Sequence, residues 1–178
     1  MLTSITIMDI VNKIIDPLAA ATALEIGTGE GGMIARVNIP SKVGVDNYEP
    51  SLFAGMGNHP GIIVMKYDIQ KLREIFLAKS FDVVFGFDIL EHFDSATVPK
   101  LIEMCELLAK KMVVFWMPIE KTPTANPLPE NPGQEHKSVL RISDFDARGY
   151  EIIRFPHYWR IPREDPTVDG LLCFKRMG

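Results

Sequence analysis

Residues 22–46 constrain the chain more than any other stretch. A short apolar run enters a glycine-rich turn (Thr22-Ala-Leu-Glu-Ile-Gly27-Thr28-Gly29-Glu30-Gly31-Gly32), and a second apolar run closes on an acid (Lys42-Val-Gly-Val-Asp46). Glycines after a strand let the backbone approach a ligand with no Cβ in the way. The turn is expected to open a helix over 31–37, whose first amides and positive dipole end would face that ligand. A carboxylate ending the next strand can accept hydrogen bonds from both hydroxyls of a ribose, which gives Asp46 a role. The pattern describes a nucleoside-cofactor site.

Apolar runs of the same kind recur at 22–26, 42–46, 62–67, 81–87 and 112–117, and they are nearly continuous, as in strands buried on both faces of a parallel sheet. Helical spacing falls between them, at 31–37, 50–55, 69–78 and most clearly at 96–108, where Val98, Leu101, Ile102, Cys105, Leu108 and Ala109 form one stripe. Such alternation predicts right-handed crossovers and a doubly wound α/β sheet. A further helix over 142–148 stops at Gly149, and runs at 150–157 and 169–175 supply two more strands.

Two segments stand apart. Within 1–18, Ile7, Ile10, Val11 and Ile14 make an amphipathic helix expected beside the sheet or over the cofactor mouth. Residues 118–136 begin with five prolines in fifteen positions (Pro118, Pro123, Pro127, Pro129, Pro132). That composition predicts a long irregular loop past a strand's carboxyl end, over the ligand crevice. With 178 residues, 47% of them hydrophobic, and no internal repeat or linker, the chain reads as one domain over 1–178.

A net charge of −4 argues against a broad footprint for DNA, and the same acidic balance disfavours RNA. No apolar stretch reaches membrane-spanning length, and the first residues lack a basic flank before an apolar core. Cys105 and Cys173 sit far apart in apolar contexts, as reduced core thiols do. The expectation is a cytoplasmic protein with no membrane partner.

The glycines fit two templates. Gly27, Gly29 and Gly32 satisfy the dinucleotide pattern G-x-G-x-x-G, whereas Gly27, Gly29 and Gly31 with Glu25 satisfy E-x-G-x-G-x-G. A carboxylate at Glu25 is out of place beside a pyrophosphate and in place near a cationic ligand, where it can hold the loop and a water-mediated contact to an ammonium. A nicotinamide-nucleotide oxidoreductase is thus one alternative, and a non-catalytic cofactor-binding module another. The first would ordinarily carry a separate substrate domain, and none is present.

Four segments in register resemble the class I S-adenosylmethionine-dependent methyltransferases of small-molecule type: Glu25-Ile-Gly27-Thr28-Gly29-Glu30-Gly31, Val43-Gly-Val-Asp46, Tyr67-Asp68-Ile69, and Phe81-Asp82-Val-Val-Phe-Gly-Phe87-Asp88-Ile-Leu-Glu91-His92. The resemblance spans about residues 20–175. It implies a Rossmann-like, seven-stranded, mostly parallel sheet with an antiparallel last strand, S-adenosylmethionine as cofactor and a small-molecule acceptor. It also implies roles. Gly27 and Gly29 would admit the methionine part, with Glu25 and Thr28 supporting the loop. Asp46 would bind the ribose, Asn47 would lie beside the adenine, Asp68 would accept from its exocyclic amine, and the Ile69 amide would face a ring nitrogen. Phe87 and Asp88 would line the methionine end. The fourth strand leads into Phe87-Asp88-Ile89-Leu90, not the Asp/Asn-Pro-Pro-Tyr/Phe of many enzymes that methylate exocyclic amines.

His92 and His136 are the candidate bases, since an acceptor that bears a proton must lose it. His59 and His157 have weaker claims. Asp88, Glu91, His92 and His136 together resemble the ligand set of metal-assisted ribose 2′-O-methyltransferases, which would hold Mg²⁺ or Mn²⁺. This chain departs from that set at Asp88 and at Lys137-Ser-Val-Leu, and no resident metal is assigned. Trp116, Met117, Phe155, Tyr158 and Trp159 are expected either to form an apolar acceptor pocket or to belong to the ordinary core and rim.

Overall fold

The computed structural model describes residues 6–119, 131–155 and 169–178. Seven strands form one sheet: β1 (Thr22–Ile26), β2 (Ser41–Asp46), β3 (Ile62–Lys66), β4 (Phe81–Phe87), β5 (Ala109–Ile119), β6 (Glu151–Phe155) and β7 (Asp169–Arg176). Their spatial order is β3-β2-β1-β4-β5-β7-β6. β7 pairs antiparallel with both β5 and β6, and every other pairing is parallel. The expected seven-stranded, mostly parallel α/β architecture with an antiparallel last strand is the one observed.

β4 is buried along its whole length because it is central and covered on both faces. Strand alternation sends its side chains to two separate cores. On one face Leu24, Ile26, Val84, Val113 and Phe115 pack with Leu101, Ile102, Cys105 and Leu108 of the helix α3 (Val98–Leu108). On the other, Ala23, Val83, Phe85, Phe87, Val114 and Trp116 pack with Met8, Val11 and Ile15 of α1 (Ile7–Ile15). Helix α1 therefore lies beside the sheet. It begins in a capping box, the Thr6 hydroxyl accepting from the Asp9 amide while the Asp9 carboxylate accepts from the Thr6 amide at 2.7 Å. The remaining helices are α2 (Glu49–Asn58) and the short α4 (Ile142–Asp146). No helix among the described residues is long and apolar enough to cross a membrane.

Three expectations are corrected. The stretch 31–37 forms no α-helix, only a 3₁₀ turn at Ile34–Arg36. Gly31 takes a left-handed φ of 77°, and the β-branched residues Val37 and Ile39 are drawn into the core before a second turn can form. Similarly, 69–78 is a 3₁₀ segment confined to Ile69–Glu74. Lastly, β5 continues into the start of the proline-rich stretch, with Pro118 opposite Gly170 of β7. A strand tolerates proline where no ladder amide is required, and the β4–β5 ladder ends at Phe87–Trp116, before Pro118. Residues 120–130 of that stretch lie outside the described residues.

Strand order reverses between β1 and β4, so the crossovers to either side leave a crevice beyond the carboxyl ends of these strands, where open α/β sheets bind ligands.

Candidate cofactor and acceptor site

A cavity of about 370 Å³ opens at that crevice. Its wall takes Gly27 and Gly29 from the loop after β1, Asp46 and Asn47 from the end of β2, Ile69 and Gln70 after β3, and Asp88, Ile89 and His92 after β4. Residues scattered over 65 positions of sequence thus meet because four parallel strands end at one level.

The loop after β1 continues the β1–β2 pairing, with the Gly27 and Thr28 amides donating to the Val45 carbonyl at 2.8 and 3.1 Å. Gly27, Gly29 and Gly31 have φ of 69°, 51° and 77°, whereas Gly32 has no positive φ. The backbone therefore requires the three glycines of E-x-G-x-G-x-G and does not require the last glycine of G-x-G-x-x-G. At Gly27 a Cβ would also fall 2.3 Å from Cδ1 of Ile89. With no α-helix after the loop, any ligand there meets individual loop amides and not a helix dipole.

Glu25 does not line the cavity. It stands opposite Phe85 in the β1–β4 register, on the face turned toward α1, and is 1% exposed. Thr28 Oγ1 donates to its Oε2 at 2.6 Å, which pins the loop from beneath. Burial pushes the Glu25 carboxyl up to about 8, against the lowering effect of the Thr28 hydroxyl and the Ile34 amide. Thr28 is likewise buried under the loop. Both residues support the loop without touching the cavity.

Two further glycines hold this arrangement: Gly44 lies in a motif segment but drew no role there, and Gly55 lies in none. A Cβ on Gly44 would fall 2.6 Å from Thr28 Oγ1, and one on Gly55 would fall 2.6 Å from the backbone oxygen of Glu30. Helix α2 thus touches the loop through Gly55. Alanine inside a helix normally stabilises it by up to about 1 kcal/mol over glycine. Gly55→Ala is expected to do the reverse, costing about 1–3 kcal/mol because backbone must move. Urea unfolding of the variant measures the sign.

Asp46 reaches both the loop and the cavity. Its Oδ2 accepts from the Gly29 amide at 2.9 Å and its Oδ1 from the Tyr48 amide at 2.8 Å. Asp68 caps the 3₁₀ segment after β3, accepting from the Gln70 amide at 3.0 Å, and it is Ile69 and Gln70 that reach the wall. Phe87 does not line the cavity. Strand alternation turns its ring to the α1 side, stacked 5.4 Å from Phe85. Asp88 does line it. Its φ of 48° is rare for a residue with a side chain, and its amide donates to the Trp116 carbonyl at 2.8 Å.

His92 lines the cavity and His136 does not, yet their rings meet edge to face at 4.9 Å. Nδ1 of His92 lies 3.2 Å from the Glu135 carbonyl. Burial lowers the His92 pKa, against the raising effect of the Glu135 and Asp88 backbone. The segment carrying His136 is held by the Glu91 carbonyl, which accepts the Lys137 amide at 2.8 Å and the Ser138 amide at 3.2 Å. Ligand atoms of Glu91, His92 and His136 lie within 4.8 Å of one another.

The expected apolar acceptor pocket does not line this cavity. Trp116 and Met117 are buried in the two cores, and Phe155 packs on Trp116 at 5.4 Å. Tyr158 and Trp159 lie outside the described residues. The rim beyond His92 is instead formed by Phe93, Asp94, Thr97, Asn131, Gln134 and Lys137, and most of these are polar. The last part of the proline-rich stretch, 131–134, does reach the crevice: Asn131, Gly133 and Gln134 all touch the cavity.

No protein-family model and no curated protein sequence matches the chain. Solved structures do match. An S-adenosylmethionine-dependent methyltransferase from Archaeoglobus fulgidus aligns with TM-score 0.62 at 16% identity, over 94% of this chain and 94% of that one. The N-terminal domain of EvdMO1, with S-adenosylhomocysteine bound, aligns at 0.66 and 16%, over 99% and 83%. YcgJ from Bacillus subtilis aligns at 0.67 and 12%, over 96% and 97%. The chain has the class I methyltransferase fold.

Proposed function

We propose that the chain is an S-adenosylmethionine-dependent methyltransferase acting on a small-molecule acceptor. The observation that carries this reading is the convergence, at one crevice, of two left-handed loop glycines (Gly27, Gly29), the Asp46 carboxylate and the Ile69 turn from the ends of three adjacent strands. Two structural neighbours, one an S-adenosylmethionine-dependent methyltransferase and the other a domain with S-adenosylhomocysteine bound, support the same cofactor. When bound, S-adenosylmethionine supplies an activated methyl group for in-line displacement.

In this reading Gly27 and Gly29 admit the methionine part, and Glu25 and Thr28 hold their loop from below. Asp46 accepts from the ribose hydroxyls while keeping its two backbone contacts, and Asn47 lies beside the adenine. Asp68 accepts from the exocyclic amine with the carboxylate oxygen not used in capping, and the Ile69 amide faces a ring nitrogen. Asp88 lies at the methionine end, and Phe87 backs it from the opposite face of the sheet. His92 is the candidate base, because it alone of the two histidines faces the cavity, and His136 acts through its ring contact with His92. The polar rim beyond His92 suits a hydroxylated or charged acceptor.

Calorimetric titration with S-adenosylhomocysteine and with NADH tests the reading. The first is expected to bind in the micromolar range and the second not at all. The opposite result would replace methyl transfer with nicotinamide chemistry.

A further inference from the structure

We propose that two copies of this chain associate through the edge strand β3 and the helix α2 beside it, as a symmetric dimer with one continuous sheet. β3 stands last in the strand order, so among the described residues its outer row of amides and carbonyls has no ladder partner. Natural sheets guard such edges with charges, prolines or bulges inside the strand, because an open ladder recruits another strand. β3 carries no guard of that kind. It reads Ile62-Ile-Val-Met-Lys66 in unbroken register with β2, and its single charge, on the last residue, is paired with Glu49 of α2 at 2.7 Å. The opposite edge, β6, has Glu151 and Arg154 among its five residues.

Apolar side chains stand exposed on both elements. Ile63 of β3 is 62% exposed, and Phe53 and Met56, one turn apart on α2, are 64% and 55% exposed. Helix α2 packs along β3 with Leu52 and Gly55 buried, which leaves Phe53 and Met56 outside. An antiparallel pairing about a two-fold axis at Val64 sets Ile63 opposite Met65 of the second copy. Directly opposed residues share a face, so each Ile63 gains an apolar neighbour, and the contact repeats on both sides of the axis as a self-complementary interface requires. The same axis places both α2 helices on one side of the joined sheet, where Phe53 and Met56 of each copy meet. A lone peptide strand would fill the ladder yet leave Phe53 and Met56 in water; a second copy covers them with its own. The three side chains offer on the order of 350 Å² of apolar surface per copy. That suffices for the centre of a standard interface of about 800 Å² per partner, with strand backbone and a polar rim supplying the remainder. None of the three lines the crevice, so the dimer does not depend on the methyltransferase reading.

Sedimentation velocity on the full chain, at concentrations up to about 100 μM and without methyl donor, tests the proposal. The parent is expected to sediment with the mass of two chains. Phe53→Lys and Ile63→Lys are each expected to raise the dimer dissociation constant at least about thirtyfold, as loss of a central contact does. Ile153→Lys, the same kind of change on the opposite edge strand, is expected to leave the mass unchanged. Circular dichroism checks folding, and if Ile63→Lys misfolds, Phe53→Lys on the helix surface decides alone. S-adenosylhomocysteine titration of the parent decides the methyltransferase reading separately. A parent with the mass of one chain overturns the proposal and leaves the edge to a strand-adding peptide. A mass above two chains, which means an open head-to-tail contact, overturns it as well, and so does a Phe53→Lys variant as dimeric as Ile153→Lys.

Discussion

Replacing Asp46 with alanine is expected to weaken S-adenosylhomocysteine binding about a hundredfold, measured by calorimetry, which is about 3 kcal/mol. Two losses combine. The ribose hydroxyls lose a charged acceptor, and hydrogen bonds to charged groups contribute about 1.5–3 kcal/mol each. The Gly29 amide also loses its partner at 2.9 Å, so the loop that must admit the methionine part is no longer held open in its left-handed form. Asp46→Asn separates the two, since its amide oxygen can still accept from Gly29 while the charge is gone. It should fall between the parent and Asp46→Ala. An unchanged dissociation constant in Asp46→Ala would mean that the ligand lies elsewhere.

The second large effect is on stability and depends on pH. Burial pushes the Glu25 carboxyl up from 4.5 to about 8. Between those values the folded chain keeps this proton while the unfolded chain releases it. Stability contributed by the protonated group is therefore complete below about pH 4.5, is lost as pH rises toward 8, and then levels off. Glu25→Gln is neutral at every pH and can keep the contacts to the Thr28 hydroxyl and the Ile34 amide. The variant is expected to exceed the parent in unfolding free energy by roughly 2–4 kcal/mol at pH 8, with the gap closing toward pH 4.5. Urea melts at several pH values measure this. Parallel curves for parent and variant would show that Glu25 is ionised in the resting fold.

The glycine loop also shows how far a motif can be read before packing intervenes. From spacing alone, Gly31 and Gly32 were interchangeable between two templates. The choice between them is a matter of backbone torsion, and only Gly31 has the left-handed φ that a side chain would strain. Neither Gly44 nor Gly55 drew a role from motif reading, because the constraint on each is a neighbour 16 or 25 residues away, Thr28 in one case and the Glu30 backbone in the other. Asp68 was legible as a strand-end acid, yet its carboxylate serves a local cap, with Gln70 reaching the wall beside it. The aromatic residues of β5 and β6 were read as pocket or core, and packing put Trp116 and Phe155 together in the core on the α1 side.

By itself the sequence determined the sheet, because runs apolar at every position can be buried only in a covered parallel sheet, and strand-end residues Gly27, Asp46 and Asp88 follow from where those runs stop. It also led to the expectation that Glu25 supports the loop, where the Thr28 hydroxyl donates to it. Tertiary structure decided which strand-end side chains face the crevice: alternation turns Glu25 and Phe87 toward α1, while Asp88, in a left-handed conformation just past β4, lines the cavity. It also settled how the grouped residues meet: the backbone carbonyl of Glu91 holds the returning segment, which sets His136 beside Glu91 and His92 across 44 positions of chain and leaves Asp88 out of the cluster.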